Sequence, residues 1–161
     1  MLAAMHALAA VAGALALAAL PRHGVLAPGT SLGGLKLGMT PAQVRAAWGS
    51  SYGGCRNCPD PTWYFTYTKF QPAGAGVEFR GGRVVAIFTL WAPTGWRTSR
   101  GLLIGDAEAR VTALYGPLLT THCTGYDALV ASHARTQTSI YIREGTVWGF
   151  GLSSAAVPAC R

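Results

Sequence analysis

Acidic side chains are scarce in this chain. There are six, Asp60, Glu78, Asp106, Glu108, Asp127 and Glu144, and no two form the paired-carboxylate motif that general acid–base chemistry uses. Histidine is as sparse: His6 and His23 lie before residue 28, leaving His122 and His133 for any site beyond it. Lysine is nearly missing, with eleven of the thirteen basic residues being arginine. Those arginines are scattered rather than gathered on one helix, which argues against a specific nucleic-acid site. The glycine-rich "GAGVEFRGG" lacks the Lys-Ser/Thr ending and the strand-to-helix setting of a phosphate loop. His122-Cys123 with Asp127 and His133 supplies the residue types of a Cys–His nucleophile system, but neighbours in a chain rarely face each other. The expectation is therefore a non-enzyme with no catalytic residues, no cofactor and no metal.

What the chain does have begins at its N-terminus. Residues 2–20 carry no charge, and Pro21-Arg22-His23 and "VLAPGT" follow, with small Val25 and Ala27 suiting a signal-peptidase site. Residues 1–27 are read as a secretory signal removed before folding. The alternative is a retained membrane anchor, because nineteen uncharged residues approach the length of a span. No cysteine follows the apolar run, which opposes a lipoprotein anchor. Loss of Arg22 lowers the formal charge from +7 to +6, so the exported chain would attract acidic proteins and anionic polymers without specificity.

A second feature is self-similarity. "LGMTPAQVRAAWG" (37–49) returns at 104–116 as "IGDAEARVTALYG", and "VEFRGGRVVAIFT" (77–89) meets "IYIREGTVWGFGL" (140–152) in the same order. Two matches in one order indicate a duplicated unit. Thr40 is a good N-cap, Pro41 suits the first helical position and Gln43 completes a capping box, while Gly49 ends the helix. In the second copy Asp106 is the expected cap and Gly116-Pro117 the stop. "TWYFTYT" (62–68) alternates as a strand, and Gly81-Gly82 and Glu144-Gly145 are expected hairpin turns. The expected fold class is α+β: two tandem repeats, 28–95 and 96–161, each a short helical segment packed on one face of an antiparallel β-sheet, sharing one domain.

Four cysteines in an exported chain suggest two disulfides, and three connectivities are possible. Cys55–Cys58 and Cys123–Cys160 are preferred because each stays within one repeat. Cys55-Arg-Asn-Cys58 could also be a redox pair, or a zinc site with His122, Cys123 or Cys160. Pro59-Asp60-Pro61 opposes the helix that a reactive thiolate wants.

A two-residue hairpin pairing Phe79 with Val84 and Val77 with Ala86 would make one face wholly apolar, extended by Phe88 and Leu90. The other face would carry Glu78, Arg80, Arg83, Val85, Ile87 and Trp91, and in the second copy Tyr141, Arg143, Thr146, Trp148 and Phe150. Aromatics studded with arginine are enriched at protein-binding surfaces. The connector "WAPTGWRTSRG" places Trp91 and Trp96 between the repeats, as a latch filling the seam or as a groove.

The Gly-Met-Thr cap opening a short helix that closes on glycine resembles the BamE-like (SmpA/OmlA) module of envelope-assembly lipoproteins. Two such modules in tandem, secreted and disulfide-bearing, look like the β-lactamase inhibitor protein (BLIP) fold, over about residues 31–152. That resemblance implies a concave sheet lined with aromatics that clamps another protein. The expected function is thus a secreted, non-enzymatic binding or inhibitor-like module. Arg80, Trp91, Tyr141, Arg143, Trp148 and Phe150 would contact an extracellular or envelope protein, with acidic partners favoured by the arginines. The alternative is a structural cell-envelope protein tethered by an uncleaved 2–20.

Overall fold

Strand-forming sequence dominates the described chain, which in the computed structural model comprises residues 19–55, 57–65 and 74–161. The signal segment up to residue 18, and Thr66, Tyr67 and Thr68 of the expected strand, lie outside the described residues. Three short strands, β1 (Val25–Ala27), β2 (Ser31–Leu32) and β7 (Arg97–Thr98), form a small sheet in the order β2-β1-β7. The larger sheet contains β3 (Gly53–Gly54), β4 (Thr62–Phe65), β5 (Gly74–Arg80), β6 (Arg83–Leu90), β8 (Leu119–Cys123), β9 (Tyr126–Ser132), β10 (Thr136–Arg143) and β11 (Thr146–Ser154). Its order is β3-β4-β5-β6-β11-β10-β9-β8, antiparallel throughout. The helices α1 (Pro41–Trp48) and α2 (Glu108–Tyr115) have eight residues each.

This arrangement overturns the expected α+β fold of two tandem repeats. The protein is mainly β, with one eight-stranded sheet rather than a helix on a sheet twice over. β6 joins β11 through Phe88–Gly151, Ile87–Leu152 and Ala86–Ser153. Separate half-sheets would leave both strands as bare edges, and their pairing satisfies the backbone groups of each. Two-turn helices also cover little of so wide a sheet. The small sheet supplies much of the remaining cover, with Leu26, Leu32 and Trp96 fully buried beside Val44, Trp48 and Val111 of the helices.

Local signals explain most element ends. The Gln43 N–H donates to Thr40 Oγ1 at 3.3 Å and the Thr40 N–H to Gln43 Oε1 at 2.8 Å, the reciprocal capping box. Asp106 does not cap α2; the N-cap is Ala107, and the Asp106 carboxylate instead accepts the Leu103 N–H at 2.7 Å. Its place is one residue too early, in the turn that leads into the helix. The long hairpins turn on Gly81-Gly82 (φ 56° and 69°) and Glu144-Gly145 (φ 52° and 73°), the paired positive φ that matches strand twist.

Beyond each turn sits one extra residue. Phe79 pairs with Val84 but Glu78 with Ala86, so Val85 has no partner; Ile142 pairs with Val147 but Tyr141 with Gly149, which leaves out Trp148. Such bulges shift the register, and a one-residue shift exchanges the two faces. Val77 is therefore opposite Ile87, not Ala86. Ile87 and Phe150 enter the helix-side core, while Phe88 turns to the opposite face.

That opposite face is a second core. Phe88, Tyr141, Ala128 and Val130 are buried beneath the segment after β11, whose Ala159 packs among them. Close approach demands glycine at two points: a β-carbon at Gly76 would lie 2.2 Å from the Phe88 ring, and one at Gly151 2.3 Å from the Tyr141 hydroxyl. The segment is fastened by a Cys123–Cys160 disulfide, and a second disulfide joins Cys55 to Cys58. Two disulfides are compatible with an extracytoplasmic location.

Residues 20–27 belong to the folded body. Leu26 is fully buried, Leu20 packs on the core, Trp96 Nε1 donates to the Pro21 carbonyl at 2.8 Å, and the Arg97 N–H donates to that of Gly24 at 2.9 Å. A cut after residue 27 would therefore remove the whole of β1. A chain starting at residue 28 should unfold at least several degrees below one starting at residue 19, since losing a buried leucine alone costs about 2–5 kcal/mol. Thermal unfolding followed by circular dichroism checks this; equal midpoints would show that the segment does not support the core.

Candidate functional site

Three of the six expected contact residues converge at one end of the large sheet. Trp91 follows the last residue of β6, Trp148 is the bulge residue of β11, and Arg143 ends β10. The Trp91 N–H donates to the Trp148 carbonyl at 2.5 Å, which fastens the β6 exit to the bulge. Trp91 has φ 61°, a left-handed conformation that a bulky side chain rarely adopts, and its side chain is 61% exposed. The Arg143 guanidinium lies 5.3 Å from the Trp148 ring centroid, a cation–π distance. Thr94 and Ile104 complete the walls of a cleft of about 530 Å³. Glu144, the cleft's carboxylate, is 87% exposed and lies 3.9 Å from Arg143 Nε.

An aromatic series braces the cleft from behind. Trp148 packs on Tyr126 at 5.2 Å, and Tyr126 meets Tyr141 edge-on at 5.5 Å. The Tyr141 hydroxyl donates to the Ala159 carbonyl at 3.2 Å, and burial pushes its phenol far above the ordinary value. The Tyr126 hydroxyl donates to the Arg161 carbonyl at 2.6 Å, and desolvation raises its pKa too. Neither phenol is poised for proton transfer near neutrality. Each instead locks a ring that limits where Trp148 can go.

The other three expected residues lie elsewhere. Phe150 is fully buried on the helix side, because the bulge at Trp148 reverses the alternation before it. Tyr141 is on the expected face but lies buried beneath the C-terminal segment. Arg80 sits near the opposite end of the sheet, since β6 and β11 run antiparallel and send their hairpin turns in opposite directions. There it pairs with Asp60 at 2.6 Å. Trp96 is a buried seam residue, so the connector contributes one tryptophan to the core and one to the surface.

Sequence reasoning missed Tyr126, Tyr64 and Arg161. Arg161 crosses the second face to pair with Glu78 at 3.2 Å, both side chains largely buried, with its guanidinium 5.6 Å from the Phe88 ring. Burial raises the Glu78 pKa, and Arg161 only partly offsets it. Hydrogen bonding to Arg80 lowers that of Asp60. His122 Nδ1 and Asp127 Oδ1 are 2.7 Å apart on the surface. Among the described residues no three His, Cys, Asp or Glu side chains are placed to hold a metal ion.

No family model matches the chain, and no curated protein matches its sequence. Solved structures do resemble it. An extracellular SCP-domain protein of Bacillus anthracis aligns with a TM-score of 0.50 at 8% identity, over 74% of this chain and 44% of that one. A DUF4309-family protein of Bacillus subtilis aligns at 0.49 and 15% identity, over 71% and 78%. A cysteine-rich secretory protein of Staphylococcus aureus aligns at 0.48 and 11% identity, over 74% and 43%. The chain thus spans less than half the length of two of these proteins. Such a likeness concerns the fold alone, and none of the three is described as BamE-like or as a β-lactamase inhibitor.

The Glu78 environment makes a pH prediction with a definite sign. A raised carboxyl pKa means that the folded state binds the proton more tightly than the unfolded one. The contribution of Glu78 is then complete below its ordinary value of 4.5 and is lost as pH rises through the raised value. Thermal unfolding of the wild type and Glu78→Gln across that range should show the wild type losing ground to the variant as pH rises. The reverse trend would mean that the bridge to Arg161 outweighs desolvation.

Proposed function

We propose that the protein is a secreted, non-enzymatic binding module that grips another extracellular or envelope protein through the Trp91–Arg143–Trp148 cleft. The observation that carries this reading is Trp91. A bulky side chain at positive φ costs on the order of 1–3 kcal/mol. Exposing a large indole forgoes burial worth about another 1.5–3 kcal/mol. Folding stability gains nothing from either, so the arrangement makes sense as a preformed contact. Tryptophan and arginine are the residues most often found to dominate binding energy at interfaces.

The mechanism is docking onto a rigid edge. Trp91 and Trp148 offer two indole surfaces fixed relative to each other by a backbone hydrogen bond, so little side-chain freedom is lost on contact. Arg143, held over Trp148, presents a cation beside them and favours a partner with a carboxylate at that point. The net positive charge of the chain would steer such an acidic partner. Compared with the surface expected from sequence, this one is smaller: Tyr141, Phe150 and Arg80 do not belong to it.

The test uses the oxidised protein as bait against secreted and surface fractions of its native source, beside Trp91→Gly and Trp148→Ala. Glycine at 91 relieves the backbone conformation, so this variant should unfold no earlier than the wild type by more than about 1 kcal/mol. It should nevertheless lose at least about tenfold in affinity for the captured protein, the equivalent of 1.4 kcal/mol. A partner retained equally by both variants would remove the cleft from the interface.

A further inference from the structure

The two edges of the large sheet are treated differently. At one edge β3 is only Gly53-Gly54, a length too short to template another strand. The other edge is β8, five residues long, in continuous register with β9 from Leu119–Val130 to Cys123–Tyr126. Among the described residues nothing pairs with its outer side. None of the usual protections is present: β8 contains no proline, no lysine and no bulge, and Leu119 is 71% exposed.

We propose that β8 is a self-pairing edge, joining antiparallel to β8 of a second copy about a two-fold axis at Thr121. The backbone alternation selects this register. Cys123 and Tyr126 flank the two-residue turn at Thr124-Gly125 and so exchange hydrogen bonds with each other. Thr121 and Leu119 likewise face β9. The N–H and C=O groups of Thr120 and His122 therefore point outward. Among the described residues the His122 carbonyl meets the Cys160 sulfur, 3.8 Å away, which as a disulfide sulfur has no proton to donate.

With Thr121 on the axis, Thr120 of each copy lies opposite His122 of the other, and both outward pairs bond reciprocally. Thr121 meets its own symmetry mate, a favourable cross-strand pair. Leu119 comes to lie across from Cys123 and its disulfide, which gives the exposed leucine an apolar neighbour. His122 does not obstruct the pairing, because its ring is turned back to Asp127 on β9. No like charges are brought opposite each other.

The two-fold of an antiparallel pair stands perpendicular to the sheet, so both copies would show the Trp91 cleft on the same side. Three strand spacings separate β11 from β8, which places the two clefts roughly 30–35 Å apart across the joined sheet. A five-residue edge buries much less than the roughly 800 Å² per partner of a standard interface, so the dimer should dissociate on dilution.

Sedimentation velocity of the oxidised protein over a concentration series tests this, beside Thr120→Pro and Leu119→Lys. Proline at 120 removes an outward N–H without touching the β9 ladder, and lysine at 119 charges the edge. The expected result is a concentration-dependent dimer whose association weakens at least tenfold in both variants. Thr121→Cys should also form a 121–121 disulfide between copies, identified by mass spectrometry of the linked peptide, whereas Thr120→Cys should not link to itself. A monomer at every concentration overturns the proposal, as does a dimer that both edge variants leave intact.

Discussion

Two single-residue insertions in the strand register govern everything else in this molecule. Val85 and Trp148 each stand unpaired three residues past a tight turn, and each reverses which side chains face the helices. Without them, Phe88 would lie among the helix-side residues and Phe150 among the surface aromatics. With them, Phe150 fills the core beneath the small sheet and Phe88 rises on the other side. Trp148, as the extra residue, is freed from the ladder and aimed at the end of the sheet where Trp91 emerges. The bulge that disturbs the pattern also makes the cleft, a common place for bulges to act.

The reversed aromatics would be a large exposed apolar face if nothing lay over them. The segment after β11 supplies the cover, held by the Cys123–Cys160 disulfide at β8 and by Arg161 against Glu78 at β5. One anchor is the edge strand β8 and the other the interior strand β5, so the segment straps strands from both halves of the chain. The consequence for function is a reduction in scale. The exposed aromatic on the described surface near the strap is Trp91, beside a half-buried Trp148 and the Arg143 head group, while Tyr64 and Tyr126 are half-buried. Rigidity compensates for size, because the Trp148–Tyr126–Tyr141 contacts run from the cleft into the strapped core.

Local chemistry in the sequence made some of this legible. The Thr40–Gln43 capping box and the two hairpin turns are written in residues whose preferences act within a few positions. The bulges were not legible, since valine and tryptophan are ordinary strand residues and a bulge is decided by what packs across it. One signal was present: Gly149-Phe150-Gly151 makes sense only if Phe150 faces a deep core and the glycines give way to crowding, as they do to Thr89 and Tyr141. The fusion of the halves into one sheet was hidden because repeat matching aligns each half with the other but says nothing about the edge where they meet. Of the contact residues, Trp91, Arg143 and Trp148 were found together because they cluster at one sheet end. Arg80 was misplaced because antiparallel joining sends its hairpin to the other end.

The claim at the centre of this account is that register reversal and the C-terminal strap bury Tyr141 and Phe150 and leave Trp91 exposed and Trp148 half-buried at the cleft. Brief oxidative footprinting of the native, disulfide-intact protein, with modification rates resolved by mass spectrometry, tests it directly. Trp91 should react first, Trp148 more slowly, and Tyr141, Phe150, Trp48 and Trp96 should stay protected until the protein unfolds. Reaction of Tyr141 or Phe150 as fast as Trp91 would place those rings back on the surface and contradict both the strap and the register.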